Sequence, residues 1–240
     1  MLRPVLALSV AAGVLGVAAA PLVAAVTQSA GSGQAERPRV TFLRDVAPIL
    51  NKVGCTAGAC HGAAKGKNGF KLSLRGYDPQ FDYEALLYDL AGRRFNRADP
   101  GRSLMLAKPS QEVAHGGGRR FAKDSDYYKT IYSWIAQGVP FGDPATDTVV
   151  ELRPEPQDIF MSRPGETASL AVVARYQDGR TRDVTRETTI ESNVPDVASV
   201  ESDKAVIHGE RVGEATLLVR YQGTFGAIPV TVLNPKPGFA

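Results

Sequence analysis

The chain has 240 residues, 43% of them apolar and 22% charged, with a net charge of +3. That composition excludes a fibre and a disordered chain, and the length allows two modest domains. Only two cysteines, Cys55 and Cys60, are present, which excludes a disulfide-dense scaffold and confines cysteine chemistry to one short stretch. Charge is uneven, with about +6 over residues 36–143 and about −4 over residues 144–240. The basic residues are scattered and lack the interleaved aromatics that stack bases, so nucleic acid is not an expected partner.

Arg3 is followed by an uncharged run from Pro4 to Ala35, mostly apolar as far as Val26. Residues 1–25 read as a signal peptide, with Val23-Ala24-Ala25 offering cleavage after Ala25. Left uncut, Val5 to Val26 is long enough to anchor the chain in a bilayer, the one case in which a membrane is a partner. Either way the rest is expected outside the cytoplasm, in the periplasm or at the cell surface. Residues 26–38 are small and polar and read as a linker.

Residues 39–143 carry helical periodicity between long loops. Phe42, Val46, Ile49 and Leu50 follow helical spacing behind a candidate cap at Thr41, although Pro48 predicts a kink or a late start. A second helix is predicted from Tyr83 to Ala91, capped by Asp82, and a third from Asp126 to Gln137, stopped by Gly138 and Pro140. After Pro144 the period becomes two. Leu170, Val172, Ala174 and Tyr176 share one strand face, and the pattern recurs at Leu217–Tyr221 and Ile228–Val232. Residues 148–235 therefore read as an antiparallel β-sandwich, with Asp178-Gly179 as a hairpin turn and residues 236–240 as a tail.

The informative stretch is Gly54-Cys55-Thr56-Ala57-Gly58-Ala59-Cys60-His61-Gly62. Covalent haem attachment needs two thiols placed to add across two vinyl groups, and a histidine directly after the second becomes the proximal iron ligand. The usual spacing is C-x-x-C-H; here it is C-x4-C-H, and the four intervening residues are small enough for the longer loop to bulge. This predicts one haem c, bound through Cys55 and Cys60 with His61 on the iron. The competing reading is a local disulfide, which leaves His61 unexplained. A zinc site would have to recruit His115 or His208 and lacks a second cysteine pair.

Further motifs follow in order: Val40-Thr41-Phe42-Leu43-Arg44-Asp45-Val46-Ala47-Pro48-Ile49-Leu50, then Gly69-Phe70-Lys71-Leu72-Ser73-Leu74, Gly92-Arg93-Arg94 and Ser103-Leu104-Met105-Leu106. His115-Gly116-Gly117-Gly118 and Trp134-Ile135-x-x-Gly138 complete the series. Through them residues 40–143 resemble the planctomycete-type cytochrome c domain of large extracytoplasmic bacterial proteins. Residues 148–233 are similar to bacterial Ig-like group 2 domains, through Asp178-Gly179-x-x-x-Asp183-Val184-Thr185 and the Gly213-Glu214-Ala215 turn. The resemblance implies a multidomain chain, an all-α cytochrome c-like domain followed by an all-β Ig-like sandwich.

Three options stand for the sixth iron ligand. His115 occupies the place where shorter relatives carry a methionine, and its glycines would let the backbone pass close to a flat ring. Met105 lies in an apolar run, where a core role competes. The third option is an open or water-bound site. Two imidazoles would favour outer-sphere electron transfer, and no nucleophile-and-base arrangement stands out. The expected function is thus an exported electron carrier or redox-sensing module with an unidentified redox partner, not an enzyme. The alternative is a cell-surface or adhesion protein whose Ig-like part binds a surface partner and whose cysteines form a disulfide.

Overall fold

The computed structural model describes residues 39–234. The signal or anchor segment, the linker and the tail lie outside the described residues, among which no helix is long and apolar enough to cross a membrane.

Strands dominate. Five short α-helices are present among the described residues: α1 (Ala47–Lys52), α2 (Pro79–Tyr88), α3 (Leu104–Ala107), α4 (Asp126–Ala136) and α5 (Pro144–Asp147). Ten strands follow: β1 (Val149–Glu155), β2 (Ile159–Met161), β3 (Thr167–Ser169), β4 (Ala171–Tyr176), β5 (Thr181–Asp183), β6 (Thr189–Ser192), β7 (Ala198–Glu201), β8 (Val206–Gly209), β9 (Gly213–Tyr221) and β10 (Thr224–Val232). They form three sheets, ordered β1-β4-β5, β2-β10-β9-β6 and β3-β8-β7. All described residues fall within one compact unit. The expectation of an all-α cytochrome c-like domain beside a separate all-β sandwich is therefore corrected. The fold is β-rich, and its helical part is mostly loop, since the Gly- and Lys-bearing stretches offer no sustained apolar stripe to bury.

Each half nonetheless buries its own apolar set. Period-two positions Val172, Ala174, Leu217, Val219, Ile228 and Val230 are sealed between the sheets. Phe42, Ile49, Leu86, Leu106, Ile131 and Trp134 form the other cluster. Each such Val, Leu, Ile or Phe side chain contributes roughly 1.5–3 kcal/mol by leaving water. Phe42 and Trp134 pack with ring centres 5.6 Å apart, and the indole N–H donates to the Pro140 carbonyl.

Polar ties cross between the two halves. Asp45 is buried, accepts from the Thr41 amide at 2.9 Å, and meets Arg182 of β5 at 2.6 Å. The Tyr221 hydroxyl donates to the Arg44 carbonyl, and Lys52 Nζ donates to the carbonyls of Thr188 and Ser202. These ties explain why one unit forms where two independent domains were expected.

The helix boundaries follow local chemistry. Thr41 caps as expected, its hydroxyl accepting from the Arg44 amide, but a π-turn at Phe42–Val46 precedes α1, which places Pro48 in the first turn. Helix α2 starts earlier than predicted because Asp78 caps it, accepting from the Phe81 amide at 3.0 Å. It also ends earlier. Leu90 and Ala91 take left-handed backbone angles, φ +53° and +56°. Asp82 is not the cap but a buried acceptor for the amide and hydroxyl of Ser73.

Burial raises Asp82 to about 6, against the opposing pull of the Ser73 hydrogen bonds. Because its folded value lies above its unfolded one, its contribution is full below the unfolded value and is lost as pH rises through about 6. Asp82→Asn keeps an acceptor for the Ser73 amide. The stability of Asp82→Asn relative to the parent should therefore rise by about 2 kcal/mol between pH 4 and pH 7. Urea unfolding at the two pH values checks this, and a flat difference would contradict it.

Candidate functional site

The Cys55–His61 segment leaves α1 through Gly54, whose φ of +80° suits glycine. Its four intervening residues, two more than the usual spacing, coil onto themselves. Cys60 N donates to Ala57 O at 2.8 Å, His61 N to Cys55 O at 3.0 Å and Gly62 N to Ala57 O at 3.1 Å. This closed loop is how a C-x4-C-H spacing brings both sulfurs and the imidazole to one cavity wall. Gly62 is its keystone, because a Cβ there would stand 2.0 Å from the Thr56 carbonyl oxygen. Gly62→Ala is expected to cost about 1–3 kcal/mol through forced backbone shift. Thermal unfolding measures it, and an unchanged midpoint would mean the loop is not held as described.

Both cysteines are free thiols, so the disulfide of the alternative reading is not formed. Burial pushes the Cys55 thiol up to about 12, only partly offset by Arg120. A thiol held protonated is a poor nucleophile and a poor direct metal ligand at neutral pH. The Arg120 guanidinium donates to Cys60 Sγ at 3.3 Å.

His61 and His115 come together across the cavity. Their ring centres are 6.4 Å apart and their planes lie within 14° of parallel. His61 Nδ1 lies 3.1 Å from the Phe70 carbonyl and His115 Nδ1 lies 2.9 Å from the Gly118 carbonyl. A carbonyl only accepts, so each Nδ1 must carry the proton, and each neutral ring keeps its lone pair on Nε2. That is the arrangement by which a backbone acceptor orients a metal-ligating imidazole. Burial also lowers the pKa of His61, favouring the neutral ring; the Phe70 hydrogen bond opposes this, and His115, Arg94 and Arg120 add to it. Gly117 is the glycine that matters in the run, since a Cβ there would stand 2.9 Å from Cε1 and 3.3 Å from Nε2 of His115.

The cavity between the rings is about 580 Å³, within the range of small-molecule sites, and Leu50, Phe70, Leu72, Leu104 and Met105 give it apolar walls. Met105 sits in α3, 8% exposed, packed in the helical core as well as on this wall. His208 lies elsewhere, on β8, 3.9 Å from Glu201. Sequence reasoning missed Phe70, whose carbonyl orients His61 and whose ring lies 4.5 Å from it and 3.9 Å from the Arg94 guanidinium. A second cavity of about 540 Å³ is open, and its Glu112 and Lys123 pair with each other.

Among the described residues no group of three or more His, Cys, Asp and Glu side chains is placed to hold a metal ion. Together with the β-rich fold, this corrects the designation of the chain as a cytochrome and as a metal-binding protein. A metal held here would have to arrive with ligands of its own. The 6.4 Å between ring centres and the apolar walls leave space for a flat group beside the two imidazoles.

No family model matches the chain, and no curated protein matches it. Among solved structures, domains 4 and 5 of the S-layer protein SbsC align at 17% identity over 36% of this chain and 53% of that one, with a TM-score of 0.32. Domains 5–6 of the same S-layer protein align at 17% identity over 38% of this chain and 46% of theirs, with a TM-score of 0.33. The matches thus span about half the length of those structures. They cover little more than a third of this chain and carry no functional information.

Proposed function

We propose that the chain is an exported protein, resident in the periplasm or at the cell surface, that carries one covalently attached haem in the Cys55–His61 cavity. The observation that carries this reading is the facing pair His61 and His115, each with Nδ1 tied to a carbonyl and Nε2 left free. Cys55 and Cys60 would supply the thioethers, His61 and His115 the nitrogen ligands, and Leu50, Leu72 and Met105 the apolar contact. The group itself would supply one-electron redox chemistry. What the chain's own residues do is hold both imidazoles in one tautomer, exclude water along the apolar wall and keep the thiols on one side. The export half of the proposal rests on the charged-then-apolar pattern of residues 1–26.

A second reading is a cell-surface protein whose β-rich part does the work, favoured by the dominance of strands in the fold. One experiment separates the two. The full chain is expressed in cells that attach haem to exported proteins, and its visible spectrum is recorded before and after acid–acetone extraction. Colour that survives extraction in the parent and is lost in Cys55→Ala/Cys60→Ala is expected. A colourless parent chain would leave the surface-protein reading.

A further inference from the structure

The Cys55–His61 loop is tied at its root to the β-rich half. Lys52 is the last residue of α1, three positions before Cys55, and the helix runs into the loop without a break. Val53 N donates to Ile49 O, Gly54 N to Asn51 O and Cys55 N to Leu50 O, at 3.0, 3.0 and 2.9 Å. A lysine ammonium has three N–H donors, and here each finds an acceptor on the other half. They are Thr188 O at 2.9 Å, Ser202 O at 2.7 Å and Ser202 Oγ at 2.8 Å. Both acceptor residues are held in place by their own half. Thr188 is fully buried and its hydroxyl donates to Val184 O at 2.8 Å, while Ser202 sits in the turn between β7 and β8, which Lys204 N closes onto Glu201 O at 3.1 Å. Ordering a four-carbon side chain costs entropy, and a lysine serving only solubility leaves its ammonium in water. A longer contact reaches the same loop from β9. Arg220 Nη1 donates to Arg75 O at 3.4 Å, and the Arg75 amide donates to the carbonyl of buried Thr56 at 2.9 Å.

We infer that Lys52 is a positioning residue for the cavity, pinning the end of α1 to the start of β6 and the β7–β8 turn, so that the β-rich half governs how firmly the Cys55–His61 loop is held. This stands apart from the haem reading, since it rests on the loop's own contacts. Lys52 touches neither thiol; it acts through Val53 and Gly54, where the chain bends into the loop. Hydrogen bonds from a charged donor are the strong ones, so their loss is felt locally. A displacement of the β7–β8 turn takes two of the three acceptors from Lys52 and frees the root of the loop. The cavity is thereby regulated from the other half of the chain, across about 150 residues of sequence.

The Cys55 thiol reports the state of the loop. The full chain, produced without haem attachment, is labelled with N-ethylmaleimide under native conditions, and the rate at Cys55 is followed by peptide mass spectrometry. Lys52→Met keeps the stem and removes the donors, and should speed labelling of Cys55 by about tenfold or more. Ser202→Ala, in the other half, should speed it by about two- to fivefold. The double variant should be no faster than Lys52→Met alone, because both changes cut one network. Tyr221→Phe is the control. It removes a different bond between the halves, from the Tyr221 hydroxyl to Arg44 O at the far end of the segment that leads into α1, and should leave the Cys55 rate unchanged. An unchanged rate in Lys52→Met overturns the inference, as do rates that multiply in the double variant. Equal acceleration by Tyr221→Phe overturns it too, since Cys55 would then report only a looser joint. Should Lys52→Met fail to fold by circular dichroism, Ser202→Ala against Tyr221→Phe carries the same comparison.

Discussion

His115→Ala, introduced into chain carrying covalent haem, should convert a six-coordinate low-spin spectrum into a high-spin or water-ligated one with the colour retained. The expectation follows from the ring pair, in which His115 stands opposite His61 with Nε2 unblocked. On the haem reading, removing that imidazole would take away one of two nitrogen ligands and leave Cys55, Cys60 and His61 in place. Met105→Leu is the control. Met105 is held in the helical core, so a volume-conserving exchange should cost under about 1.5 kcal/mol and leave the spectrum alone. A high-spin spectrum from Met105→Leu and not from His115→Ala would invert the assignment. The Gly118 carbonyl adds a finer check. If it is moved by a substitution at Gly118, where φ is +70° and a side chain is strained, the His115 ring loses its orienting acceptor and ligation should weaken without being abolished.

Asp45→Ala should be clearly destabilising, at about 1–3 kcal/mol. Asp45 is buried between Arg44 and Arg182, and it also accepts from the Thr41 amide at the start of the helical part. Truncation leaves the Thr41 amide without its acceptor and takes from each guanidinium its nearest carboxylate, while Arg44 keeps Asp147 and Arg182 keeps Glu187. The exposed pair Lys204–Glu201 is the contrast, since Lys204→Ala removes an ion pair screened by water and should leave the unfolding midpoint unchanged. Chemical denaturation followed by tryptophan fluorescence is well suited, because Trp134 lies in the helical core while Arg182 lies on β5. A single transition shifted as a whole in Asp45→Ala means the two halves unfold together. Two separated transitions would mean the joint carries little coupling.

Much of the strand pattern was legible because alternation is written directly into Leu217-Val219-Tyr221 and Ile228-Val230-Val232, all buried here. The joint was not legible. Asp45, Arg182 and Tyr221 are far apart in sequence and carry no local signature of meeting, so a helical domain followed by a sandwich from residue 148 was the natural reading. Helix α2 was misplaced by one turn for a similar reason. Asp78 and Asp82 are both plausible caps locally, and only the tertiary contact with Ser73 decides between them. At the site, Cys55, Cys60 and His61 stand out by spacing, and His115 by its glycines. The role of Gly117 over its neighbours, the Phe70 carbonyl and the arginines on the wall depend on loops that no periodicity describes.

The left-handed pair Leu90 and Ala91 has a consequence for anyone who selects this protein for heat tolerance. Each non-glycine residue held there costs roughly 1–2 kcal/mol, and Leu90 borders the cavity. Glycine at Ala91, or a residue with a milder left-handed penalty at Leu90, would relax that cost, so a screen on melting temperature alone would favour such changes. The same changes would loosen the rim beside Arg93. Survivors of that screen would tend to be sturdier proteins with slacker cavities, and ligand retention would have to be selected alongside heat resistance to keep both.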